Sequence, residues 1–134
     1  MTEQMTGASL RQRLAYSPIT DRKKLTLPGN ARVAVWTIVN VENWRPTGPM
    51  PRTVLPPPMG QPLLPDIPNW AWHEYGNRVG FWRFHEALTK RNLKASFAVN
   101  GTVCELYPQV CQAALDADWD FMGHGFVQQP MHRV

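Results

Sequence analysis

Apolar residues come in three bursts along this chain, separated by polar or proline-rich stretches. The run Ala31-Arg32-Val33-Ala34-Val35-Trp36-Thr37-Ile38-Val39-Asn40-Val41 is β-branched and nearly continuous, the pattern of a strand buried on both faces of a parallel sheet. A second, shorter burst, Ala95-Ser96-Phe97-Ala98-Val99, reads as a strand that turns into a helix at Asn100-Gly101-Thr102. The third, Trp119-Asp120-Phe121-Met122, reads as a strand that ends in Gly123-His124-Gly125.

Helical spacing fills the gaps between the bursts. After Tyr75-Gly76, the positions Val79, Phe81, Trp82, Phe84 and Leu88 fit one helix, with Lys90, Arg91 and Asn92 as a cationic last turn and cap. Farther on, Pro108 belongs in a first helical turn rather than an interior. The segment therefore divides into a short turn through Tyr107 and a helix from Pro108 to Asp116, with Val110, Ala113, Ala114 and Ala117 inward. The order strand, excursion, helix, strand, helix, strand predicts an α/β fold with parallel strands and right-handed crossovers. The carboxyl ends of all three strands then share one edge, where α/β proteins place their sites.

Two segments stand apart. Residues 1–30 are polar and broken by Ser17-Pro18 and Pro28-Gly29, and read as a surface arm preceding a domain of residues 31–134. Between Pro46 and Pro68 nine prolines fall within 23 residues, which excludes helix and central strand. A long excursion of this kind, returning to Trp70, Trp72 and Tyr75, is read as a folded-down lid rather than a linker.

Composition narrows the function classes. The chain has 134 residues, is 43% hydrophobic and carries a net charge of +4, enough apolar content for a core. Its basic residues, Arg11 to Lys24 and Lys90 to Lys94, are not interleaved with exposed aromatics, so a nucleic-acid surface is not expected. No signal-peptide pattern and no run of 18 apolar residues is present, so no membrane partner is expected and the chain reads as soluble and cytoplasmic. Cys104 and Cys111, seven apart, have neither a metal-pair spacing nor a disulfide framework and read as reduced, packed thiols.

Asn40, Glu42 and Asn43 follow the first strand, Asn100 the second and His124 the third. A carboxylate and a histidine on one rim can do acid and base work on an amide or ester. The bland readings are a satisfied structural histidine and a solvent-exposed glutamate. Glycine on both sides of His124 permits close backbone approach to a ligand, or equally a tight turn.

Four blocks carry a resemblance: Val35 to Trp44; Asn69-Trp70-Ala71-Trp72-His73-Glu74-Tyr75-Gly76-Asn77-Arg78-Val79-Gly80; Lys94-Ala95-Ser96-Phe97-Ala98-Val99-Asn100-Gly101; and Met122-Gly123-His124-Gly125. In this order and spacing they resemble the polysaccharide (chitooligosaccharide) deacetylase-like superfamily, allantoinase-like branch. The resemblance implies the amino-terminal portion of a distorted (β/α)7 barrel and hydrolysis of carbon–nitrogen bonds other than peptide bonds. Three strands do not close such a barrel, so the expectation is a C-terminally truncated domain, with a missing C-terminal half or a homo-oligomer completing it.

The typical acidic pair is replaced here by Asn40-Val41-Glu42, and Gln128 stands four residues after His124. The resemblance thus implies catalysis by Glu42 and His124 with no cofactor. A divalent zinc held by Glu42, His124 and Gln128, with His132 as a further donor, is the alternative. Asn40, Arg78, Asn100 and Trp72 would hold a small amide, ureide or N-acetylated sugar, although Arg78 could instead pair with Glu74, and Trp70, Trp72 and Trp82 could instead be core. A non-catalytic remnant that binds a ligand or partner with the same rim is the competing reading.

Overall fold

The computed structural model describes residues 14–48, 50 and 53–129. Three four-residue strands, β1 (Ile38–Val41), β2 (Ser96–Val99) and β3 (Asp120–Gly123), form a parallel sheet in the order β1-β2-β3. Ile38 pairs with Ser96 and Ser96 with Asp120, so the three strands are in step along their whole length. The fold is mixed α/β with every strand running the same way, as the alternation of elements predicts.

The first strand is shorter than its apolar run. A ladder can extend only as far as its partner, and β2 offers four residues, so pairing starts at Ile38, with one further bond from Ser96 N–H to Thr37 C=O at 2.9 Å. The expectation of burial on both faces fails as well: Val33, Val35 and Trp36 are exposed and Ile38 is 42% exposed. β1 is an edge strand, and only Val39 and Val41 turn toward the core. Val35 also marks the boundary between two units of the chain. In the first unit, residues 14–35 form two short 3-10 turns, Ile19–Asp21 and Pro28–Asn30, with no buried residue.

In the second unit a single helical rod runs from Ile67 to Thr89. Its parts are α1 (Ile67–Tyr75), a π-turn (Gly76–Gly80) and α2 (Phe81–Thr89). It starts earlier than the apolar spacing indicates, because Asp66 caps it: its carboxylate accepts the Asn69 N–H at 3.2 Å, with Pro68 in the first turn. The rod ends at the predicted cap, although Lys90 and Arg91 follow its last turn rather than forming it. Asn92 adopts a left-handed φ of 53°, and the Asn92 and Leu93 N–H groups return to Thr89 and Leu88 carbonyls at 3.0 Å.

The next helical pair is α3 (Gly101–Leu106) and α4 (Pro108–Asp116), separated at Tyr107. α4 ends by the same device as α2, with Asp118 left-handed and Trp119 N–H on the Ala114 carbonyl at 3.0 Å. Phe81, Phe97, Val99, Val103, Val110, Ala114 and Trp119 form the buried core between sheet and helices. Trp72 and Trp82 lie mainly outside it, at 55% and 39% exposure. No helix among the described residues is long and apolar enough to cross a membrane.

The proline excursion is a loop whose ends meet, because Asp66 N–H donates to the Pro46 carbonyl at 2.8 Å. Its return is fixed by one buried side chain. Asn69 Oδ1 accepts the N–H groups of Val54 and Leu55, both at 2.8 Å, while Nδ2 donates to Leu55 C=O at 3.1 Å and to Asp66 at 2.9 Å. A proline-rich segment has few amides to spend, so one carboxamide meeting two of them holds it. Asn69→Ala should cost about 2–3 kcal/mol in urea unfolding and open the 53–64 segment to limited proteolysis; unchanged stability and cleavage would show that the loop is held elsewhere.

Candidate functional site

One step beyond the sheet, the register carries Glu42, Asn100 and His124 onto a common rung, since Val41 pairs with Val99 and Val99 with Gly123. The backbone continues to bond there: His124 N–H reaches Val99 C=O at 3.0 Å and Asn100 N–H reaches Val41 C=O at 3.4 Å. By strand alternation these residues share the parity of Asn40 and Ala98, opposite the face that packs on the helices.

On this rung Glu42 Oε1 lies 3.0 Å from His124 Nε2. The other carboxylate oxygen accepts the indole N–H of Trp44 at 3.0 Å. Both side chains are partly open to solvent, His124 at 39% and Glu42 at 27%. An ionised carboxylate only accepts, so the contact with Glu42 calls for the tautomer with its proton on Nε2, in which Nδ1 is the ring's acceptor; the Gln128 amide nitrogen, 3.5 Å from Nε2, suits the other tautomer. A carboxylate that orients an imidazole and stabilises its charged form is a general-base arrangement.

Asn100 is fully buried and holds this rung together. Its Oδ1 accepts the Asn43 N–H at 3.1 Å; its Nδ2 donates to the His124 carbonyl at 2.5 Å and to Gln128 Oε1 at 2.7 Å. The carboxamide is spent inside the protein, so Asn100 positions the loops after β1 and β3 and has no donor left for a substrate. Gly125 serves the same turn. Its φ of 78° is left-handed, and its carbonyl accepts the Gly101 N–H at 3.1 Å. Of the two glycines beside His124, this one is required by the turn; Gly123 has open space around it and an ordinary strand conformation.

Gln128 approaches His124 with its amide nitrogen, 3.5 Å from Nε2, because its oxygen faces Asn100. Zinc needs about three good donors and an open position. Here the only carboxylate and imidazole are bonded to each other, and Gln128 turns a nitrogen donor, not an oxygen, toward them. Among the described residues no third histidine, cysteine or carboxylate joins the pair, and His132 lies outside those residues. Among the described residues, Glu42, His124 and Gln128 supply fewer good donors than zinc needs.

The structure does not bring Arg78 or Trp72 to this rung. Arg78 Nε pairs with the buried Glu74 carboxylate at 2.8 Å, and its own side chain is 70% exposed. Glu74 also accepts the Tyr107 hydroxyl, which closes a bridge from α1 to the junction of α3 and α4. Trp72 stands on the exposed side of α1, edge-on to His73.

A groove of about 580 Å3 runs beside β1 instead, lined by Asn40, Glu42, Trp44, His73, Asn77 and Phe84 among others. Asn77, buried in the π-turn, donates to the Glu42 carbonyl at 3.2 Å. Trp44 and Asn77 were not selected as site residues by the sequence pattern, whereas Asn43 was placed at the rim. The available signals were the position of Trp44 two residues after Glu42 and the Gly76 to Gly80 spacing around Asn77. No family model, no curated protein and no solved structure matches this chain, so the likeness to the deacetylase superfamily rests on its four sequence blocks alone.

Asn100→Ala should lower stability by about 3 kcal/mol, because it strands a buried amide of Asn43 as well as losing its own bonds; chemical denaturation measures this, and a loss below about 1 kcal/mol would mean that the three loops are held independently. The Tyr107 hydroxyl supplies a pH signature. Burial, followed by the bond to Glu74, pushes its pKa up to about 12. The folded value lies above the unfolded one, so the contribution is whole below about pH 10 and is lost as pH rises toward about 12. The fall in thermal midpoint between about pH 9 and about pH 11.5 should be smaller in Tyr107→Phe than in the parent; equal falls would place the ionising group elsewhere.

Proposed function

We propose that this chain carries the catalytic rung of a hydrolase of carbon–nitrogen bonds other than peptide bonds, acting on a small amide, ureide or N-acetylated sugar. The observation that carries the reading is the 3.0 Å contact of Glu42 and His124 at the carboxyl edge of a parallel sheet. His124 Nδ1 takes a proton from water while Glu42 holds the ring by Nε2–H and stabilises its positive charge. The hydroxide adds to the carbonyl carbon, and the imidazolium then returns the proton to the departing nitrogen. Trp44 restrains Glu42 through its second oxygen. Asn40, two residues before Glu42 and near the end of β1, holds the polar end of the substrate on this reading.

No step requires a metal on this reading. The three strands and their helices correspond to the first units of a (β/α)7 barrel, and the outer edges of β1 and β3 are where further strands pair. Supporting this, Ile38 on one edge strand and Phe121 on the other are 42% and 44% exposed, and an unpaired edge beside apolar surface invites a partner strand.

The test is turnover of allantoin and of N-acetylated sugars with and without chelator, for this chain and for a version extended by the downstream reading frame. Turnover should resist chelation, and His124→Ala and Glu42→Gln should each lower kcat by about 100-fold or more. Hydrolysis that survives both substitutions, or that stops with chelator, would refute the scheme. Absence of turnover in either version would favour the same rim as a non-catalytic binding surface.

A further inference from the structure

Cys104 and Cys111 are the only cysteines of the chain, and their spacing of seven residues argues against pairing. In one straight helix they would stand about 10 Å apart along the axis. The break at Tyr107, with φ −131° and ψ 56°, removes that separation by turning α4 away from the line of α3. The two sulfurs meet across the junction at 3.2 Å, both as free thiols.

Their surroundings differ. Cys104 is exposed, whereas Cys111 is buried in the core beside Val103, Val110 and Ala114. Burial, and then the Cys104 sulfur, push the Cys111 thiol up to about 12. At neutral pH Cys111 therefore holds almost no thiolate, and the group that meets a reagent from solvent is Cys104. An accessible attacking sulfur backed by a shielded resolving sulfur is the arrangement of a reversible thiol oxidation site.

We propose that Cys104 and Cys111 form a modification site at which a hydroperoxide-class oxidant closes a disulfide between α3 and α4. The Cys104 thiolate attacks one oxygen of the hydroperoxide, the O–O bond breaks, and the other oxygen leaves and takes up a proton. Cys104 is then a sulfenic acid. The Cys111 sulfur attacks the Cys104 sulfur, the S–O bond breaks, and the hydroxide departs with the Cys111 proton as water. Two thiols give up two electrons and the hydroperoxide accepts them. A disulfide brings sulfurs to about 2.05 Å, so each moves by less than roughly 1 Å, within reach of side-chain rotation. Cys104 lies one helical turn after Asn100, its sulfur 4.0 Å from the Asn100 carbonyl. The new bond therefore ties the segment that supports His124 to the core helix α4. This site is independent of the hydrolase reading.

The test exposes the full chain to hydrogen peroxide, then unfolds and alkylates it for intact mass and a non-reducing gel. Alkylation should fall from both cysteines to neither, in a monomer, and recover with a dithiol reductant. Cys111→Ser should accumulate a sulfenic acid at Cys104 that a 1,3-dione labels. Cys104→Ser should lose its remaining thiol at least about tenfold more slowly than the parent loses its pair. A native chain in which Cys104 over-oxidises while Cys111 stays alkylatable, or in which disulfides form only between chains, would overturn the proposal. So would a Cys104→Ser chain that oxidises as fast as the parent.

Discussion

The buried carboxamide of Asn100 is the constraint on which the site depends. Three parallel strands bring three loops to one edge, but parallel strands share no hairpin turn that would fix those loops against each other. Asn100 supplies the missing cross-link. It accepts from the loop after β1 and donates to the loop after β3, while its own residue starts α3. Neither serine nor aspartate could replace it, since the geometry asks one side chain for both an acceptor and two donors. The Glu42–His124 contact follows from this, because the two residues come from strands that do not touch.

The same economy operates away from the sheet edge. The hydrophobic core is small, and much of the remaining order comes from buried polar side chains with several partners each. Asn69 holds the proline loop, Asn77 holds the carbonyl of Glu42, and Glu74 joins Arg78 to Tyr107. All three lie on the rod from Ile67 to Thr89. The π-turn between Gly76 and Gly80 widens the helix where Asn77 must reach β1; π-turns are rare elements that cluster at functional sites. A buried carboxylate such as Glu74 is tolerable only with its charge matched and its oxygens bonded, and it has both.

What the sheet leaves uncovered is as informative as what it buries. The helices α2 and α4 lie on one face, as right-handed crossovers in a single direction require, and the opposite face carries Ile38, Asn40, Ser96, Asp120 and Met122. Trp36 bonds to Ser96 there at 2.8 Å. Ala98, central on the same face, is buried, so this side of the sheet is open mainly at its edge strands.

By itself the sequence determined the three strands, the helix that precedes β2, the parallel order, the break at Pro108 and the cap at Asn92, because these follow from local rules: apolar periodicity, proline's missing N–H and the left-handed residue that ends a helix; it missed α1, which Asp66 starts inside the proline-rich stretch. It also placed Glu42 and His124 at strand ends, since strand ends are visible in the pattern. Tertiary structure alone decided how far β1 extends, because a ladder is limited by its partner and not by its own composition. It alone turned Asn100 from a ligand group into a cross-link and gave Arg78 to Glu74. It brought Cys104 to Cys111 through a change of direction at Tyr107 that residue spacing does not encode. Each of these is settled by what lies across the fold, and a polar side chain has no assignable role until its partner's position is known.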